Sequence, residues 1–408
     1  MSGSNGSGES LSCIDISVVL FILSDEQMAR AKAARDQMKD IRSSAVKSRC
    51  SSSEYAHGGD VYRNEVSLDF SVNLNPLGVP QEVISAAVNG LDEVTQYPDP
   101  YHAELRNAIA AAENTDPDMI VCGNGASELI MAAVHAFMPR KALVTAPCYS
   151  GYETSLEAAG TEICHYYLDE KKDFTLDEGI MAYITEDIDM VFLTNPNNPN
   201  GRLIDDKLLQ KIEHRCADCG TVLLLDECFL PLTGARTDSA YSASNGTVPD
   251  VSQVNGGILH LRAFTKTFAV PGIRLGYIFS SDTHLLNEIR LHLPEWNVSR
   301  AAEKAGAAAC RLLTHTDYLD DAAMMIRTER TYLETELTAL GIKVYPSDVN
   351  YILFRSEPGL YEKLLACGIL IRRCANFKGL DETFYRIAVR KHADNEVLLD
   401  TLRADLRK

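Results

Sequence analysis

The sequence predicts an α/β fold: a largely parallel sheet covered by helices on both faces, followed by a smaller α+β portion. Two observations predict it. From residue 100 onward, short continuously apolar runs alternate with segments whose apolar residues recur at helical spacing. Strands buried on both faces read this way, whereas a sheet with one wet face alternates polar and apolar residues. The length of 408 residues, 46% of them hydrophobic, exceeds one ordinary core and predicts one large and one smaller domain.

The elements follow in order. "HAELRNAIAAAE" (102–113) is an Ala-rich helix, "MIVCGNG" (119–125) a short strand ending in glycine, and "ASELIMAAVHAFM" (126–138) a helix. "KALVTAP" (141–147), "DMVFLTN" (189–195), "TVLLLDE" (221–227), "ILHLRAF" (258–264) and "LGYIFS" (275–280) are further strands, with helices between several of them. A long Ala-rich helical stretch spans 300–340, then "NYILF" and "FYRIAV" are strands and "DNEVLLDTLRADL" is the closing helix. The polar run "SASNGTVPDVSQVNGG" (242–257) is a surface excursion. Ahead of all this, "MSGSNGSGES" is flexible polar sequence and 25–40 a short helix. Residues 1–52 read as an appendage without an assigned role.

A formal charge of −18 argues against nucleic acid, which needs a basic footprint. It leaves room for an anionic small molecule, because a few local arginines outweigh a distant acidic surface. Eleven scattered cysteines lack the density of a disulfide scaffold, and a reducing cytoplasm fits them. No run approaches the roughly 20 apolar residues of a membrane span; the nearest, "IDISVVLFIL" (14–23), is broken by Asp15 and Ser17 and lacks the preceding positive charge of a signal peptide.

The chemistry concentrates where strands end, the place at which open α/β sheets bind ligands. "GNGASE" (123–128) is a strand–glycine–helix junction whose backbone N–H groups and helix dipole suit an anion, although an ordinary βα turn reads the same way. "NPNNPNG" (195–201) fixes a rigid turn that can aim an Asn side chain into a cleft. Asp226 closes the apolar strand "LLLDE", a position also common for helix caps. In "RAFTKTFAVPGIRLGY" (262–277) a single lysine, Lys266, stands between two threonines with Arg274 eight residues on. Each alone has a bland reading, a turn, a cap or a surface charge; their order along one chain does not.

Anion cradle, rigid Asn, strand-end Asp, then Lys and Arg together resemble the aminotransferase class I/II branch of the fold type I pyridoxal-phosphate enzymes, from about residue 53 to the C-terminus. The resemblance implies a mostly parallel seven-stranded sheet flanked by helices, an N-terminal arm (53–90) joining the small domain, a large cofactor domain (91–300), and a linking helix with a C-terminal small domain (301–408). It implies pyridoxal 5'-phosphate bound covalently by Lys266, which also moves protons. Asp226 would pair with the ring nitrogen, Asn198 with the ring hydroxyl, and Tyr149 would stack on the ring. Ala126, Ser127, Thr265 and Arg274 would hold the phosphate, completed by Tyr97 from a neighbouring subunit, which makes the expected assembly a homodimer. Arg386 would grip the substrate carboxylate.

Within that branch "HGGD" (57–60), "LDFSVNLNPLG" (68–78), "FTKTFAVPGIRLGY" and "GILIRRCANFKGL" (368–380) resemble the threonine-phosphate decarboxylases of cobalamin biosynthesis. Phe229 stands where the related histidinol-phosphate aminotransferases usually carry Tyr. The resemblance implies that His57, Gly58, Asn73, Asn198, Arg372 and Arg386 surround a small phosphorylated amino acid, its two anionic ends meeting two arginines at opposite ends of the cleft. Three residues depart from the pattern: Arg373 adds positive charge near the site, Ala263 removes a phosphate hydroxyl, and "PEWNVS" (294–299) carries an extra acid. A transaminase acting on histidinol phosphate or another phospho-amino acid is the alternative. A ligand-sensing transcription regulator would need a DNA-binding module that the short, weakly basic N-terminus does not supply. "CADC" (216–219) lacks a second pair at zinc spacing and reads as structural, as do His135 and His165 on core elements, while "DEKKD" (169–173) reads as a solvated turn.

Overall fold

A computed structural model describes residues 59–234 and 257–405. The appendage at 1–52, its helix at 25–40, His57, Gly58 and nearly all of the polar run at 242–257 lie outside the described residues. The chain begins with the two-residue strand β1 (Leu68–Asp69) and the helices α1 (Gln81–Leu91) and α2 (Ala103–Glu113). Then come β2 (Ile120–Gly123), α3 (Ala126–Phe137), β3 (Lys141–Ala146), α4 (Gly151–Ala159), β4 (Glu162–Tyr167), β5 (Met190–Thr194), α5 (Asp206–Cys219), β6 (Val222–Asp226), β7 (Ile258–Ala263), the single turn α6 (Phe264–Thr267), β8 (Gly276–Phe279) and α7 (Thr283–Leu291). The remainder is α8 (Arg300–His315), α9 (Tyr318–Ala339), β9 (Lys343–Val344), β10 (Tyr351–Arg355), α10 (Leu360–Ala366), β11 (Ile369–Leu370), β12 (Arg372–Arg373), β13 (Phe384–Ala388) and α11 (His392–Asp405).

β2 to β8 form one sheet in the order β2-β8-β7-β6-β5-β3-β4, mostly parallel, with β8 alone running against its neighbours. The apolar runs are continuous because both faces are dry. Met190, Phe192 and Leu224 join the core under α3, α4 and α7, while Val191, Leu193, Leu223 and Leu225 enter a second core under α5. Full burial of each such side chain contributes about 1.5–3 kcal/mol. β4 escaped the sequence reading for a related reason: as the sheet's edge it is half-exposed and reads "EICHYY", with no continuous apolar run.

The C-terminal part is a four-stranded antiparallel sheet, β12-β13-β10-β9, packed through Ile352, Phe354 and Ile387 on α9 and α11. β1 pairs with β11 in parallel, tying the N-terminal segment to this part. The single helical stretch expected over 300–340 is two helices broken at Thr316 and Asp317. Alanines of α8 pack with Leu105 and Ile109 of α2, and Leu333 and Leu337 of α9 face the small sheet, so each helix serves a different core.

Three minor expectations are corrected. His135 is exposed on α3 rather than packed in a core. His165 is half-buried and hydrogen-bonded, its Nε2 lying 2.8 Å from Glu153 Oε1. Glu170 of the 169–173 turn is not left to solvent: its Oε1 accepts from Lys343 Nζ at 2.7 Å and from the Tyr345 hydroxyl at 2.6 Å.

Candidate active site

The C-terminal ends of β5, β6 and β7 open onto a cleft of about 300 Å³. At one side β2 ends and α3 begins through Gly125, which caps the helix without any side-chain hydrogen bond, leaving first-turn N–H groups free for a ligand. Gly125 has φ +83, and a Cβ on it would stand 2.7 Å from Arg274 Nη2. Glycine therefore supplies both the left-handed conformation and the room for a guanidinium over the helix end. Ala126, Ser127, Thr265 and Arg274 line this corner together. Arg274 donates to the Pro271 carbonyl at 3.3 Å and meets no carboxylate among the described residues.

Lys266 projects from α6 into the middle of the cleft, its Nζ 5.8 Å from the centre of the Phe229 ring. Desolvation, reinforced by the positive charge of Arg386, lowers its amine to about 8. Asp226, at the end of β6, accepts from the Tyr152 hydroxyl at 2.5 Å and from the Cys228 N–H at 3.0 Å. Burial pushes its carboxyl upward against those hydrogen bonds. A cation beside it would reverse that shift. Tyr149 lines the cleft and packs edge-on against Tyr152, with ring centres 5.4 Å apart. A Cβ on Gly151 would lie 2.2 Å from Tyr149 Cε1, so only glycine lets the ring take this place.

The Asn/Pro turn divides its labour. Asn197 donates to Asn200 Oδ1 at 2.7 Å and to the Pro147 carbonyl at 3.1 Å, Asn200 donates to the Phe174 carbonyl, and Asn195 Oδ1 accepts from the Ile204 N–H. These three build the turn, and Asn198 is the one that lines the cleft. Its Oδ1 accepts from Arg386 Nη1 at 2.5 Å. Arg386 Nη2 donates to the Ser71 carbonyl at 3.0 Å, and the Asn73 amide oxygen, turned toward the guanidinium, accepts from Nε and Nη1 at 3.3 Å.

Arg372 and Arg386 are both buried and both line the cleft. Rather than occupying opposite ends of it, they sit in register on adjacent antiparallel strands, which corrects the expectation from two anionic ends. Their heads have different partners: Arg372 Nη2 donates to Asn376 Oδ1 at 2.8 Å, and its guanidinium lies 5.2 Å above the Phe377 ring. Burial, then Arg386, lowers Arg372 to about 10. Neither arginine meets a carboxylate among the described residues. Arg373 does not add charge to the cleft. Alternation along β12 sends it outward, where it pairs with Glu362 at 2.8 Å and covers the Tyr361 ring.

The cleft thus gathers Asn73, Ala126, Ser127, Tyr149, Asn198, Asp226, Thr265, Lys266, Arg274, Arg372 and Arg386. Tyr97 stands apart from them, 77% exposed and 4.5 Å from the Trp296 ring centre. The sequence reading missed Tyr152, Asn376 and Phe377. Tyr152 lies in the first turn of α4, three residues after Tyr149, and reaches Asp226 rather than the cleft. Beneath the cleft a buried network links Arg262 Nη1 to both Glu113 oxygens at 2.8 and 2.7 Å and Arg262 Nη2 to Glu227 Oε2 at 3.2 Å. The Tyr277 hydroxyl donates to Glu113 Oε1 at 2.5 Å. Cys216 is buried and the Cys219 thiol donates to the Ile184 carbonyl, and no potential metal cluster occurs among the described residues. No described helix is long and apolar enough to cross a membrane.

Known proteins resemble this chain in sequence and fold. The family described as aminotransferase class I and II matches residues 65–402. A threonine-phosphate decarboxylase of Salmonella typhimurium is 35% identical over 360 residues, covering 85% of this chain and 96% of its own. Among solved structures, the histidinol-phosphate aminotransferase of Clostridium acetobutylicum superposes with a TM-score of 0.74 at 33% identity, over 83% of this chain and 99% of that one. A histidinol-phosphate aminotransferase of Sinorhizobium meliloti in complex with pyridoxal-5'-phosphate superposes with a TM-score of 0.71 at 21% identity, over 84% and 91% of the two chains.

Proposed function

We propose, from the premise that the chain belongs to the aminotransferase class I and II family, that it decarboxylates O-phospho-L-threonine to (R)-1-aminopropan-2-yl phosphate, a step of cobalamin biosynthesis. The observation that carries this reading is the pair of buried guanidiniums, Arg372 and Arg386, held without a carboxylate partner in the described structure. Buried charges are costly unless compensated, and a substrate with a carboxylate and a phosphate compensates both.

The cofactor is pyridoxal 5'-phosphate, and the cleft fits it at four points. The α3 N-terminus with Arg274 seats a phosphate, Lys266 offers an amine to an aldehyde, Asp226 offers a buried carboxylate to a ring nitrogen, and Tyr149 offers a ring face. When bound, this group supplies an aldehyde that takes up amino groups and a ring that accepts an electron pair from Cα. The protein's part is to hold and to move protons. Arg386, fixed by Asn198 and Ser71, orients the α-carboxylate. Arg372 takes the distal phosphate as a charged fork. Lys266, with an amine near 8, carries a proton at neutral pH that it can deliver to Cα as CO₂ departs.

A second reading, transamination of histidinol phosphate or another phospho-amino acid, is favoured by the 33% identity to an aminotransferase structure. Phe229 beside Lys266, with no hydroxyl to offer, favours the decarboxylase. Incubating the protein with phosphothreonine, with and without a keto-acid acceptor, tests the two: CO₂ without acceptor is expected, and acceptor-dependent keto-acid formation without CO₂ would replace the reading.

The assembly belongs to the same proposal. Ile84, Val88, Leu91, Val94, Tyr97 and Tyr101 are exposed large hydrophobic residues within one short stretch of chain. Such surface supports a homodimer in which Tyr97 reaches the neighbour's phosphate corner. A cytoplasmic site of action fits the unpaired cysteines of the described chain.

A further inference from the structure

The turn that follows β12 faces two ways. Phe377 lines the cleft, and it and the exposed Asn376 hold the Arg372 guanidinium by one ring face and one hydrogen bond. The next residue, Lys378, reaches across to the elements of the large sheet. Its Nζ lies 3.2 Å from His165 Nε2 on β4 and 3.5 Å from Glu153 Oε2 on α4, and Glu153 Oε1 contacts the same His165 nitrogen at 2.8 Å. Gly379, at φ +88, lies beside the Tyr167 ring. Phe377 is buried among Leu168, Phe174 and Phe384, a contact that anchors the turn but does not fix its direction. The Lys378–Glu153 ion pair adds a second point of attachment, to the elements of the large sheet.

We propose that Lys378, Glu153 and His165 form a latch that positions Arg372 through Asn376 and Phe377, and so sets the affinity for the phosphate end of the substrate. These are positioning residues, since none of them lines the cleft. The inference rests on the reading of Arg372 as the phosphate contact, and it adds that the strength of that contact is governed from outside the cleft.

The test uses the cofactor-loaded enzyme and follows its visible absorbance as phosphothreonine or unphosphorylated threonine is titrated in. Lys378→Met is expected to weaken phosphothreonine about threefold to fivefold, the scale of a part-exposed ion pair, and to leave threonine unchanged. Lys378→Arg restores the affinity, Glu153→Gln reproduces the loss, and high salt narrows the gap between wild type and variant. In an Arg372→Ala background, Lys378→Met has no further effect. Equal weakening of both ligands by Lys378→Met, or an undiminished effect in that background, overturns the latch. If Arg372→Ala weakens phosphothreonine and Lys378→Met does not, the latch fails alone. If Arg372→Ala itself leaves phosphothreonine binding intact, the reading of Arg372 falls and takes the latch with it.

Discussion

Arg372 and Arg386 stand directly opposite each other across β12 and β13, and both side chains are buried. Like charges at a cross-strand position repel, so an anion that sits between or beside them offsets that repulsion. Phosphothreonine is therefore expected to raise the melting temperature of the holoenzyme more than threonine does. Arg372→Ala should weaken phosphothreonine by roughly one to two orders of magnitude, since a charge-assisted hydrogen-bonded pair contributes about 1.5–3 kcal/mol, and threonine far less. Arg386→Ala should weaken both ligands alike. Calorimetric titration of the two variants checks the separation.

Lys266 titrates inside the cleft near 8 instead of at its ordinary value of 10.5. Only the neutral amine attacks an aldehyde, so the rate at which the apoprotein takes up pyridoxal phosphate should rise with pH to a midpoint at about 8 and then level off. Stopped-flow absorbance measures it. The sign for stability follows from the lowered value: between about 8 and 10.5 the unfolded chain holds a proton that the folded chain has released. This group thus makes the apoprotein more stable as pH rises through that window.

Tyr152→Phe removes the hydroxyl that donates to Asp226. The carboxylate loses a bond to its charged form, its pKa moves further up, and the fold should lose about 1–3 kcal/mol. Chemical denaturation reads the stability, and a weaker cofactor dissociation constant reads the change at Asp226.

Gly151→Ala forces Tyr149 off its place, because the new methyl would overlap the ring. Cofactor affinity should fall about tenfold or more while the circular dichroism spectrum stays unchanged, the loss of one aromatic stacking contact being about 0.5–1.5 kcal/mol with strain added.

Arg262→Met leaves Glu227 buried with only His260 beside it, at 3.3 Å, and takes the guanidinium from the largely buried Glu113. Breaking a buried pair in this way costs about 3–5 kcal/mol, which thermal or urea unfolding would show. The triple change Arg262→Met, Glu113→Gln, Glu227→Gln should recover much of the loss, because no buried charge of the set is then left alone.

That Asp226, Lys266 and Ala126 would share one cleft was legible in the sequence because each lies at or just after the end of a strand, where short apolar runs announce the place. Asp226 ends "LLLD", Lys266 follows "LHLRAF", and Ala126 follows "VCGNG". The substrate side was less legible. Arg372 and Arg373 are neighbours of identical chemistry, and only the two-residue alternation of a strand that the local sequence barely marks decides which one enters the cleft. The register that sets Arg372 against Arg386 depends on pairing between segments fourteen positions apart, which no local pattern encodes. Tyr152 was hidden because its role is second-hand: it touches Asp226 instead of facing the cleft.

The Arg262 network has a consequence for how this molecule could change its chemistry. Glu227 follows Asp226 in the chain and Arg262 precedes Lys266 by four positions, so their ion pair staples neighbouring strands together directly under the acid and the amine. The spacing between Asp226 and Lys266 is consequently inherited from sheet geometry, and substitutions at the mouth of the cleft leave it untouched. The segment 71–73 lines the cleft without such a pair, and the turn after β12 is tied to the large sheet only by the part-exposed Lys378–Glu153 contact. Variation confined to those two stretches can exchange one phosphorylated amine for another while the electron-accepting half of the machine runs on unchanged, which makes them the places to randomise in a search for new substrates.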